Sequence, residues 1–124
     1  MAIRYRRRVP VRLQLTVDGD AVETERLRQF LAQDADVQRA GDLRYGRPAE
    51  PGHLGADIQV LALAINSTLT SIGLAIQLVN FRRSRPAPRP VFTLTAESDD
   101  GTVVRIDTDD PEAAAEMIRK LENG

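Results

Sequence analysis

The chain has no cysteine, no tryptophan and a single histidine in 124 residues. Without thiols there are no disulfides, no thiolate nucleophile and no zinc site built on sulfur, a usage that fits a reducing cytoplasm. One imidazole, His53, cannot make a histidine metal site or a proton relay, and it lies in a Pro/Gly-rich stretch where a solvent-exposed side chain is expected. Aromatic residues are only 4% of the total, so the core must come from Leu, Ile, Val and Ala. Lysine is nearly missing too: Lys120 is the only one, and the other basic residues are arginine, a bias that a GC-rich genome produces without any binding role. The start, Arg4-Tyr-Arg-Arg-Arg8, leads into an alternating segment and lacks an apolar h-region and a small-residue cleavage site. No secretory signal is therefore expected, and a cytoplasmic protein is.

The chain is long enough for one domain with a real core and too short for two. A basic arm over residues 1–10 followed by an α+β domain over 11–124 is the expected layout. Arg4, Arg6, Arg7, Arg8 and Arg12 stand together without an acid, whereas nine carboxylates between Glu97 and Glu122 face only Arg105, Arg119 and Lys120. Two solvated ends account for this, and head-to-tail association is the sharper alternative. Nothing resembles a helix-turn-helix or an RNP motif, so nucleic acid is not an expected partner.

Val11-Arg-Leu-Gln-Leu-Thr-Val17 alternates at period two and predicts a half-buried strand. Leu27, Phe30 and Leu31 then fall on one face of a helix over 24–33. A weaker strand is expected around Val37 to Tyr45, before a loop from Gly46 to Gly55. Beyond the Pro/Arg connector, Val91–Ala96 and Thr102–Ile106 read as a hairpin closed by Asp100-Gly101. Asp110-Pro111-Glu112 sets an N-cap and a first-turn proline ahead of a last helix. The resulting order is β-α-β-α-β-β-α, a two-layer sandwich with a four-stranded sheet covered by helices.

The segment from Ile58 to Phe81 carries no charge and no proline, and it predicts one long apolar helix over about 57–82. At about 1.5 Å per residue such a helix is long enough to cross a bilayer. Arg82, Arg83 and Arg85 would suit a positive flank. Against a span stand Gln59, Asn66, Thr70, Gln77 and Asn80, which at about 100° per residue form one polar stripe between Ile65, Ile72 and Ile76. These eight residues are the candidate interaction helix. Its flanks need cover from the other helices, from other subunits or a protein partner, or from lipid. A homo-oligomer is expected, with membrane association on activation as the alternative.

Catalytic signatures are absent: no G-x-S-x-G accompanies His53. The glycines of Pro51-Gly-His-Leu-Gly55 match no phosphate-binding pattern, and Asp57 would repel an anion. Glu97, Asp99, Asp100, Asp107, Asp109 and Asp110 do not fit an EF-hand loop, and turn and cap duties explain several of them. No catalytic residue, cofactor or metal is expected. Arg82, Arg83, Arg85 and Arg89 lie in a proline-rich segment that would attract a trypsin-like protease. Proline directly after Arg85 and Arg89 leaves Arg82 and Arg83 as the better sites.

Several of these features occur together in one known family. A first strand ending in Val17-Asp18-Gly19-Asp20 is followed by an arginine-rich helix, and Leu54-Gly55-Ala56-Asp57 opens the charge-free segment that closes on Arg82-Arg83-Ser84-Arg85. The chain resembles the effector-associated constant component proteins, small partners encoded beside protease-type effectors in bacterial, especially actinobacterial, conflict systems. Ala64-Ile-Asn-Ser-Thr68 stands where members often have a glycine-rich helix start, and Phe81 stands at the aromatic position near the helix end. The resemblance implies a non-enzymatic component, the partner or substrate of a trypsin-like or caspase-like effector protease. A membrane-active effector, released by cleavage in the connector, is the alternative.

Overall fold

The computed structural model of the chain describes residues 11–17, 21–40, 43–46, 60–97 and 102–123. Among them are β1 (Val11–Val17), α1 (Ala21–Ala32), α2 (Ala35–Ala40), β2 (Arg44–Gly46), β3 (Val60–Ile65), α3 (Ser71–Ser84), β4 (Phe92–Ala96), β5 (Val103–Ile106) and α4 (Pro111–Asn123). The five strands form one sheet in the order β2-β3-β1-β4-β5, with every neighbouring pair antiparallel. Consequently β1 and β2 run parallel with β3 between them, and β3 and β4 run parallel with β1 between them. The helices that join each parallel pair make two interleaved split β-α-β units. Strand β5 and helix α4 extend them at one edge.

Alternation explains why most strands bury one face. Leu13, Leu15 and Val17 of β1, Phe92, Leu94 and Ala96 of β4, and Val104 and Ile106 of β5 are all buried, whereas Arg12, Gln14, Thr93, Thr95, Val103 and Arg105 point the other way. A period of two places each set on its own side of the pleat. Strand β1 ends where the backbone N–H of Val17 donates to Thr24 Oγ1 at 3.1 Å, so a fully buried hydroxyl satisfies the strand's last donor and fixes the start of α1.

The three phenylalanines of the chain tie the layers together. Phe30 of α1 meets Phe81 of α3 edge to face at 5.5 Å, and Phe81 meets Phe92 of β4 at 6.2 Å. Aromatic pairs at such spacing contribute roughly 0.5–1.5 kcal/mol beyond their buried area. Ala114, Ala115, Ile118 and Leu121 line the buried side of α4, and the two alanines let it lie close against α3. At the β2 edge, Arg28 donates to Glu25 and to the Tyr45 hydroxyl while its guanidinium lies 5.4 Å from the Tyr45 ring centre. The hydrogen bond from Arg28 holds the Glu25 carboxyl below the ordinary carboxylate range.

The architecture is α+β, as expected, but the long helix over 57–82 is not formed. Of its described residues, 60–65 form the strand β3, 71–82 belong to α3, and Asn66 to Thr70 separate them. The physical reason lies in the side chains of that break. Asn66 Oδ1 accepts from the N–H groups of Thr68 and Leu69 at 2.8 and 2.9 Å, folding the chain into an Asx turn. Thr70 then accepts from Gly73 N at 3.2 Å and starts α3 as its N-cap. All six residues of β3 are buried, Leu61, Leu63 and Ile65 in the core with Leu15, Leu13 and Val11, and Val60, Ala62 and Ala64 on the other face. A strand of this kind has no alternation, so its apolar run merges with that of the helix.

Two further corrections follow at the β2 edge. Val37 belongs to the short helix α2 and not to a strand, and the strand there is limited to Arg44–Gly46. Asp34 makes the difference: its Oδ2 accepts from Val37 N at 3.1 Å and caps α2. With β3 added, the sheet has five strands where four were expected. The arm over 1–10, the Asp18-Gly19-Asp20 break, His53 and its loop, Gln59, and the hairpin tip at 98–101 lie outside the described residues.

Candidate interaction surface

Helix α3 offers the outer face against which the expected interaction residues can be placed. Leu74, Ala75, Leu78, Val79 and Phe81 are buried against the sheet and α4. On the opposite side Ile76 is 40% exposed, Asn80 and Arg83 are exposed, and Ile72 is half-buried. These residues recur at helical spacing and form one outward stripe.

The single polar stripe expected along a continuous helix does not exist, since its members belong to different elements. Ile65 ends β3 and is buried in the core. Asn66 builds the turn and Thr70 caps the helix. Gln77 donates from Nε2 to Asp34 Oδ1 at 3.0 Å, fastening α3 to the link between α1 and α2. Of the eight candidates, Ile72, Ile76 and Asn80 remain on the outer face.

The connector leaves the end of α3 and runs to β4, and its arginines have defined partners. Arg85 donates to both carboxylate oxygens of Glu23, from Nε at 2.8 Å and from Nη2 at 2.6 Å, and its guanidinium lies 6.0 Å from the Phe81 ring centre. Arg82 donates from Nε to Asp109 Oδ1 at 2.9 Å and from Nη1 to the Pro90 carbonyl at 2.5 Å. Arg89 donates to the other oxygen, Asp109 Oδ2, at 2.5 Å. One carboxylate therefore receives two arginines. Partial desolvation of Asp109 opposes its ionisation, but the hydrogen bond from Arg82 and the charges of Arg89 and Arg82 outweigh it and hold its carboxyl below the ordinary aspartate value.

Of the four connector arginines Arg83 and Arg89 are exposed and Arg82 and Arg85 half-buried, and among the described residues only Arg83 has no side-chain partner. Arg83 sits in the last turn of α3, beside the bond from Ser84 Oγ to the Phe81 carbonyl. An open depression of about 490 Å³ lies between the connector and Val17, Glu23 and Arg105. The sequence named the arginines, but neither acid that holds them could be read from it. Glu23 is 62 residues from Arg85 in the chain. Asp109 was visible only as one carboxylate in an acidic stretch beside a helix cap. Capping itself belongs to Asp110, whose Oδ1 accepts from Glu112 N at 3.1 Å.

Between α3 and α4, Ser71 Oγ donates to Glu122 Oε2 in a partly buried bond next to Arg119. Among the described residues no three His, Cys, Asp or Glu side chains are grouped so as to hold a metal. Asp99 and Asp100 lie outside the described residues. No helix among them is long and apolar enough to cross a membrane.

No curated protein and no solved structure matches the chain. A family model does, Effector Associated Constant Component 1, over residues 16–122, which takes in everything from the end of β1 to the last turn of α4. The match includes the Asn66–Thr70 break, the outer face of α3 and the whole connector with both of its acids. On that extent the chain belongs to the Effector Associated Constant Component 1 family.

Proposed function

We propose that the protein is a non-enzymatic interaction component of a bacterial conflict system, and that it works by binding the protease-type effector encoded beside it in the cytoplasm. The observation that carries this reading is membership of an effector-associated family over nearly the whole chain. The outer stripe of α3 is the surface assigned to the contact. Ile76 is a large apolar side chain held out on a rigid, well-packed helix, and Ile72 and Asn80 extend the patch along one line. Such an arrangement presents an apolar anchor with a polar neighbour at low entropic cost. A second copy of the chain can use the same stripe, which makes self-association part of the reading.

The membrane-active alternative was built on an uninterrupted apolar helix, and that basis is gone because β3 and α3 are separate elements. Co-expression with the neighbouring effector, followed by size-exclusion chromatography, tests the proposal. Co-elution of the two chains is the expected result. Separate elution, with the present chain a monomer, would overturn both the partnership and the self-association.

A further inference from the structure

Residues 85–91 differ from every other described connection in how they are held. Pro86, Ala87, Pro88 and Arg89 are exposed, and among the described residues no backbone–backbone hydrogen bond outside the helices and strands involves 86–91. Charge takes the place of packing: Arg85 on Glu23 at one end, and Arg89 on Asp109 at the other. The open depression lies between this segment and Val17, Glu23 and Arg105. Arg82 couples this segment to the helix, because the same side chain holds Asp109 and the Pro90 carbonyl.

We propose that residues 85–91 form a strap latched by Asp109, and that release of this latch frees the last turn of α3 and opens the Arg82 and Arg83 peptide bonds to an arginine-specific protease. In the latched state these bonds lie in a helical turn, closed by the bond from Arg85 N to the Arg82 carbonyl at 3.3 Å. A protease needs an extended strand, so cleavage there requires local opening of the turn and strap together. Asp109 governs both, since it is the one acid bound to an arginine of the helix and to an arginine of the strap. Among the described residues, loss of Asp109 leaves Arg82 with the Pro90 carbonyl alone and Arg89 with no partner. A partner carrying its own carboxylates can compete for the two arginines and release the latch. High salt does the same by screening.

The significance of the latch rests on a protease-type effector being the partner, but its existence does not, so the test uses trypsin and the isolated full chain. The first cleavage sites are mapped by mass spectrometry under native conditions, at low and at roughly 1 M salt. Slow initial cutting after Arg82 or Arg83 is expected in the unaltered protein, accelerated by salt. Asp109→Asn should accelerate it roughly tenfold at low salt and reduce its salt dependence, leaving the part due to Arg85 on Glu23. Arg89→Gln, which leaves the Arg82–Asp109 pair in place, should give a smaller acceleration at an unchanged melting temperature. Glu116→Gln, which breaks the exposed pair with Arg119 on α4, should change nothing. Rates of cutting after Arg82 and Arg83 in Asp109→Asn and Arg89→Gln equal to those of the unaltered protein would overturn the latch. A failure of effector binding would leave this result untouched.

Discussion

Strand β3 and helix α3 up to Phe81 are both free of charge, yet they differ in their relation to solvent. Val60-Leu-Ala-Leu-Ala-Ile65 buries every side chain, Leu61, Leu63 and Ile65 against the helices and Val60, Ala62 and Ala64 on the other face. Ser71 to Ser84 is as free of charge until Arg82, yet it leaves Ile76, Asn80 and Arg83 outside. Apolar character alone therefore does not decide which residues are structural and which are available. Position in the sheet makes β3 a structural element, and helical geometry gives α3 a face to spare.

The largest effect that sharpens this contrast is in β3. Leu63→Ala should cost about 2–5 kcal/mol, because a fully enclosed site cannot collapse around the cavity. Ile76→Ala on α3 should stay within about 0.5 kcal/mol. Urea unfolding of the two variants measures both, and equal losses would break the distinction. Next comes the hinge between the two segments. Asn66→Ala removes the acceptor for two backbone N–H groups and should cost about 1–2 kcal/mol, and Thr70→Ala, which removes the cap of α3, about 1 kcal/mol. Thermal melts report these losses, and loss of both acceptors should add only partly, since the two lie in one turn.

Much of the fold was legible where the chain alternates or caps itself. β1, β4, β5 and α4 follow from period two and from Asp110-Pro111, within a residue or two. The central segment was not, because a strand buried on both faces and a helix look alike as apolar runs. The clue was present in Asn66-Ser-Thr-Leu-Thr70, a turn and a cap in five residues, which read as polar positions on a helix instead. Of the candidate interaction residues, Ile72, Ile76 and Asn80 lie on the outer face of α3, whereas Ile65 is in the core and Asn66, Thr70 and Gln77 hold the turn, the cap and the link to Asp34. The acids of the strap could not be found, since Glu23 and Asp109 reach the arginines only through the fold.

A smaller effect concerns pH. The folded state holds the Asp109 carboxyl below its ordinary value, so the carboxylate stabilises the fold at any pH above the unfolded value of about 3.9. That contribution is lost as pH falls from there through the lower folded value. Asp109→Asn should therefore sit below the unaltered protein by a constant small margin from neutral pH to about pH 5, and the margin should close below about pH 4. Melting temperatures across this range test it, and a margin that widened in acid would show the sign to be wrong.

The central claim is that α3 carries a face for a partner while β3 carries only structure. Ile76→Glu tests it most directly, measured as binding to the neighbouring effector beside a melting curve of the same sample. The account predicts an unchanged melting temperature and a loss of binding of at least about tenfold, as expected for a charge placed at an apolar anchor. Binding equal to that of the unaltered protein, with the fold intact, would contradict it.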